Sequence, residues 1–77
     1  MGNLSCKKTL NRARKRVQSE VCTLLLDGWL IVGQFTLGKR YYAALRHAKK
    51  RDYLCIVATA EKITFTKNGK IIKEESV

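Results

Sequence analysis

The hydrophobic pattern of this 77-residue chain changes period once, near Gly28. Upstream, Leu10, Ala13, Val17, Val21 and Leu24 recur three and four residues apart and line one stripe of a helix, which Leu25 widens. Lys8, Arg12, Lys15, Arg16 and Ser19 fall on the opposite side. The spacing predicts a helix over residues 5–27. Ser5 or Asn3 is placed to cap its start, and Gly28 supplies a residue that tolerates a left-handed conformation just past its end. Cations crowding the first two turns oppose the helix dipole and repel one another, so helix physics alone does not account for them.

Downstream the pattern is strand-like. Residues 29–35 form a β-branched and aromatic run interrupted by Gly33, a signature of a bulge or a close backbone approach. A turn is expected at 36–38. In the next strand Tyr41, Ala43 and Leu45 alternate with Arg40, Tyr42, Ala44 and Arg46, one face apolar and the other basic and aromatic. A charged loop over 47–52 leads to a third strand at 53–59 and a short turn at Ala60-Glu61. The last two strands, 62–67 and 70–75, flank Asn68-Gly69, a pair that accepts positive φ at both turn positions. That loop sets Lys67 opposite Lys70 and Phe65 opposite Ile72. Ile63, Phe65 and Ile72 should then share the buried face, with Thr64, Thr66 and Lys73 in water and Ile71 exposed at the edge.

The expected fold is α+β, an N-terminal helix packed on a five-stranded antiparallel β-meander, with a partly closed small barrel of the same strands as the alternative. One domain should span 1–77, with roughly residues 1–5 flexible, since a chain this short buries only about 60% of its unfolded surface in a single core. The first and third strands are apolar on both faces: Leu30 and Val32 as well as Trp29 and Ile31, and Tyr53, Cys55 and Val57 as well as Leu54 and Ile56. One helix covers one face, so the other needs the hairpin curled over it or another chain.

Charge changes the picture most. Sixteen Lys and Arg against six Asp and Glu leave a formal +10, a self-repulsion that a polyanionic partner relieves. The excess is concentrated in two blocks, Lys7, Lys8, Arg12, Arg14, Lys15 and Arg16, then Lys39, Arg40, Arg46, Lys49, Lys50 and Arg51. A hydrophobic content of 45% argues against a disordered basic tail. Cys6, Cys22 and Cys55 are widely spaced, and with His47 the sole histidine they make no convincing zinc set, so no metal or cofactor is expected. They read as reduced thiols of a cytoplasmic protein. The start carries no apolar run of a secretory signal, and the longest apolar stretch is interrupted by Asp27, so a membrane span is not expected.

An enzyme is not expected either. The carboxylates sit at element ends, no glycine-rich phosphate loop is present, and His47 reads as a solvated loop histidine rather than a general base for Cys55 or Ser76. The binding candidates are the helix ridge of Lys8, Arg12, Lys15 and Arg16, about 12 Å long at 1.5 Å per residue, and the strand-and-loop cluster of Arg40, Tyr42, Arg46, Lys49, Lys50 and Arg51. Guanidinium groups fork onto phosphate and a tyrosine ring offers a stacking surface. The leading expectation is a basic, non-enzymatic protein that contacts DNA or RNA mainly through the phosphate backbone, with both blocks on one outward footprint. The alternative is a protein-interaction module, a virion component or inhibitor, that docks on an acidic partner or a second copy through the apolar outer sheet face and basic patch. A third, weaker reading takes Gly2, Cys6 and the following lysines as an acylated, membrane-apposed start, against which Cys6 stands where Ser or Thr is expected.

In outline, the order of helix, Gly28-Trp29 and three strands over residues 18–59 resembles small RNA-binding modules of the double-stranded-RNA-binding and HicA-toxin type. Those toxins carry a histidine after the glycine turn of the second strand. Here Lys39-Arg40 follow Gly38, so the resemblance does not extend to ribonuclease activity, and the Asn68-Gly69 hairpin replaces the closing helix of that fold. Size and charge also suit a small protein of a phage or mobile element.

Overall fold

The computed structural model describes residues 9–77. The expectations placed on residues 1–8 (a flexible start, capping by Asn3 or Ser5, acylation at Gly2 or Cys6, and Lys8 in the helix ridge) lie outside the described residues. The elements are α1 (Leu10–Leu26), β1 (Trp29–Leu37), β2 (Arg40–His47), β3 (Tyr53–Ala58), β4 (Lys62–Lys67) and β5 (Lys70–Ser76).

The helix begins at Leu10, with the first residue of the hydrophobic stripe and five residues after the expected start, and the reason is Thr9. Its backbone is extended (φ −133°, ψ 158°) and its hydroxyl accepts the Arg12 N–H at 3.2 Å, which makes it the N-cap. At the other end Gly28 takes φ +95° and turns the chain into β1. The five strands pair in sequence order, all antiparallel, and the sheet stays open, so the meander holds and the barrel does not form.

β1 runs on through Thr36 and Leu37, where the sequence pattern places a turn. Leu37 pairs with Arg40, leaving Gly38-Lys39 as a two-residue turn with positive φ only at Gly38 (+61°), the type II′ pattern. The bulge expected at Gly33 is present, with the register shifting between Ile31 and Gly33. In the last hairpin Asn68 (φ +52°) and Gly69 (φ +84°) both adopt left-handed backbone, as a type I′ turn requires, and Lys67 faces Lys70.

Beyond that turn the expected pairing fails. A second shift sets Thr66 opposite Ile71 but Phe65 opposite Lys73, so Ile72 is the extra residue of a bulge. One inserted residue reverses which side each later side chain takes. Ile72 is therefore 57% exposed rather than buried. Lys73 leaves the water side and sets its ammonium 5.1 Å from the Phe65 ring centroid.

The core lies between α1 and one face of the sheet. Ala13, Val17 and Val21 pack with Trp29, Tyr41, Ala43, Leu45, Leu54, Ile56, Ala58, Ile63 and Phe65, while Leu10 and Leu24 close the ends of the helical stripe. Of these, Leu45, Ile56, Ile63 and Val17 are the largest fully buried side chains, and each contributes about 1.5–3 kcal/mol by leaving water. Among the described residues no element covers the second sheet face. The hairpin extends the sheet instead of curling over it, so Leu30, Val32, Phe35, Leu37, Tyr53 and Ile71 stay exposed.

Candidate functional site

β2 positions the centre of the open face. Its burial alternates without a break, Tyr41, Ala43 and Leu45 toward α1 and Arg40, Tyr42, Ala44 and Arg46 away from it. The neighbouring registers then determine what surrounds each outward group. Tyr42 lies between Phe35 on β1 and Val57 on β3, Ala44 between Gly33 and Cys55, and Arg46 between Leu30 and Tyr53. Phe35 and Tyr42 stack face to face, with centroids 4.9 Å apart and planes within 17°. Phe35 is 55% and Tyr53 63% exposed. Arg40 and Arg46 flank the stacked pair, about 20 Å apart along the strand at ~3.3 Å per residue.

Two shallow depressions adjoin this row. One, of about 250 Å³, is apolar and is lined in part by Val32, Ala44, Tyr53, Cys55 and Thr66. The other, of about 300 Å³, lies at the end of β2 and is lined by Arg46, His47, Lys50, Arg51, Asp52 and Tyr53. A third, of about 630 Å³, sets Lys39 and Arg40 beside Thr9 and Leu10 at the start of α1, with Glu61 in its wall.

The carboxylates are distributed unevenly. Glu20 and Glu75 both hold Arg16 (2.9 and 2.8 Å), Glu75 also meets Lys73 (3.2 Å), Glu74 meets Lys62 (3.5 Å), and Asp52 meets Lys67 (3.7 Å). Partial burial pushes the Glu75 carboxyl up, but hydrogen bonds from Lys73 and Arg16, together with their charges, outweigh it and hold the group below the usual range. The Asn68 amide donates to Asp52 (3.1 Å) and, with Lys67 and Lys50 nearby, lowers its pKa. Four acids thus compensate cations of α1, β4 and β5. Among the described residues Arg40, Arg46, Lys49, Lys50 and Arg51 have no ion-pair partner.

The described members of the two basic blocks stand on different elements, Arg12, Lys15 and Arg16 on α1 and Arg40 and Arg46 on β2. The ridge of α1 points away from the sheet on one side, and Arg40, Tyr42 and Arg46 point away from it on the other. Of the ridge, Arg12 and Lys15 are exposed and Arg16 is engaged by two glutamates. The sign pattern of the sequence does not reveal this, because Glu75 reaches Arg16 from 59 residues downstream. Lys49, Lys50 and Arg51 extend the strand cluster at the Arg46 end, and there they also lie beside the C-terminus of α1, where cations are favoured by the helix dipole.

His47 is not a solvated loop histidine. Its Nδ1 accepts the backbone N–H groups of Lys49 (3.1 Å) and Lys50 (3.3 Å), which assigns the ring proton to Nε2, and Nε2 donates to the Asp27 carbonyl at 3.0 Å. The ring meets Trp29 edge-on at 5.1 Å, and the Ala48 N–H reaches the Gly28 carbonyl at 2.9 Å. His47 therefore ties the cationic loop to the end of α1.

Sequence reasoning missed Phe35 as a site residue. With the turn at Gly38-Lys39, counting back from the Leu37–Arg40 pair sets Phe35 opposite Tyr42. Cys22 and Cys55 are free and exposed. Among the described residues no helix is long and apolar enough to cross a membrane. No protein-family model, curated protein or solved structure matches the chain.

Proposed function

We propose that the chain is a non-enzymatic binding protein that holds single-stranded nucleic acid across its open sheet face. The observation that carries this reading is the Phe35–Tyr42 stack on an uncovered sheet, bracketed along β2 by two guanidinium groups with no carboxylate partner. Unpaired bases present a π-face to such rings, while the sugar–phosphate chain runs past the cations. Tyr53 extends the stacking surface, and Arg46, Lys50 and Arg51 gather charge at its end. A duplex hides its base faces, so it would use Arg40 and Arg46 but not the rings. The ridge of α1 is the weaker surface because Arg16 is already neutralised.

The test is a salt titration of binding with labelled single-stranded and duplex oligonucleotides. Arg40→Ala/Arg46→Ala should flatten the log–log salt dependence by up to about 1.4, at ~0.7 for each phosphate of a single strand that is no longer neutralised. Phe35→Ala or Tyr42→Ala should weaken binding by about 1–3 kcal/mol per stacked base while leaving that slope unchanged. Arg12→Ala/Lys15→Ala should do neither. Absence of binding at low salt, or a duplex preference abolished by the helix variant, would refute the reading and favour docking of a protein on the apolar face.

A further inference from the structure

An open sheet has two edges, and those of this protein are unlike. β5 carries Lys70, Lys73, Glu74 and Glu75 and is bent by the bulge at Ile72. Charges and bulges are the usual means by which an edge strand is kept from pairing with another chain. β1, Trp-Leu-Ile-Val-Gly-Gln-Phe-Thr-Leu, has neither charge nor proline and is guarded only by the bulge at Gly33. Along its outer side runs a row of backbone N–H and C=O groups that no strand among the described residues pairs with.

Side chains flank that row on both sides of the sheet. Leu30, Val32, Phe35 and Leu37 project on the open face, and Ile31, which pairs with buried Leu45, projects on the helix side; all are 41–66% exposed. A strand that fits this edge must itself be extended, uncharged and apolar on both sides. β1 is such a strand. Of the two edge strands it is the one without charge, so a β1–β1 contact sets no charged residue of one strand directly against the other, and Arg40 and Arg46 stand one strand back on β2. The five side chains offer on the order of 500 Å² per copy before backbone, Gln34 and Thr36 are counted, against roughly 800 Å² per partner in a standard interface.

We infer that the chain forms a twofold dimer by antiparallel pairing of β1 with β1 of a second copy, which joins the two open faces into one surface. An isologous contact of this kind closes on itself, and the bulge, by dividing the strand into residues 29–31 and 33–37, limits how far the ladder runs.

Sedimentation velocity over a concentration series, without nucleic acid, tests this independently of any ligand. The expected result is a monomer–dimer equilibrium. Val32→Lys should raise its dissociation constant at least tenfold with an unchanged circular dichroism spectrum, and Ile71→Lys on the β5 side should leave it unchanged. Hydrogen exchange of β1 amides should slow with concentration in the natural protein and not in Val32→Lys. A monomer throughout, a dimer that survives Val32→Lys, a dimer without β1 protection, or open-ended assembly would each overturn the inference.

Discussion

Gly28 offers a severe test of how the helix is joined to the sheet. Its φ of +95° is one that L side chains rarely adopt, and a Cβ there would stand 3.1 Å from both Cε1 and Nε2 of His47. Two costs follow from Gly28→Ala. The left-handed backbone costs about 1–2 kcal/mol for a residue with a Cβ. The second arises because the imidazole must give way, and it is held on three sides, by the Asp27 carbonyl, by the amides of Lys49 and Lys50, and by Trp29. A shift of a few tenths of an ångström weakens those hydrogen bonds and the edge-on packing of the two rings, which adds up to roughly 1–2 kcal/mol. The total of about 2–4 kcal/mol is a large share of the stability of a domain this small, and it corresponds to a fall in Tm of at least ~10 °C. Gly69→Ala is the control for strain alone, since φ there is +84° but nothing lies within 4 Å of the added carbon, so about 1 kcal/mol is expected. Thermal and urea denaturation followed by circular dichroism give the values. Removing the imidazole removes the clash, so Gly28→Ala should cost only its strain in a His47→Ala background. Equal costs in the two backgrounds would refute the account of the joint.

Two further outcomes follow from the polar contacts. Glu75 is held below its usual pKa, so the unfolded chain binds its proton more readily than the folded one. Its stabilising contribution is complete above the unfolded carboxylate pKa and is lost as pH falls through the folded value. Glu75→Gln should therefore lower stability at neutral pH and flatten its decline in acid, as denaturant titrations at a series of pH values would show. Thr9→Ala should cost about 1 kcal/mol and Thr9→Asp should cost nothing or stabilise, because the first turn holds no acid to meet the helix dipole; urea midpoints decide between them.

Much of the fold is legible in the residues because local patterns and tertiary packing agree. The stripe from Leu10 to Leu24, the alternation of β2 and the Asn68-Gly69 turn each admit one reading, and the structure bears each out. What escapes is set by single residues acting at a distance. The bulge at Ile72 has no glycine to mark it, and it alone moves Ile72 outward and Lys73 over Phe65. The role of His47 depends on a helix end 20 residues earlier. The relation between the basic blocks is hidden for a similar reason: adjacency in sequence says nothing about which side of a sheet a helix covers. Arg40, Tyr42 and Arg46 are together because strand alternation makes them so, whereas Arg12 and Lys15 stand on α1, which packs on the opposite face of the sheet.

The uncovered face has a colloidal consequence. Copies of the chain expose apolar strands that attract at short range, and what holds them apart is the mutual repulsion of ten excess charges. Anything that screens those charges lowers the barrier to close approach, whether dissolved salt or a flexible polyanion threaded between molecules. Counter-charge and crowding thus act through one variable, and the protein will come together most readily where its cations are most fully answered.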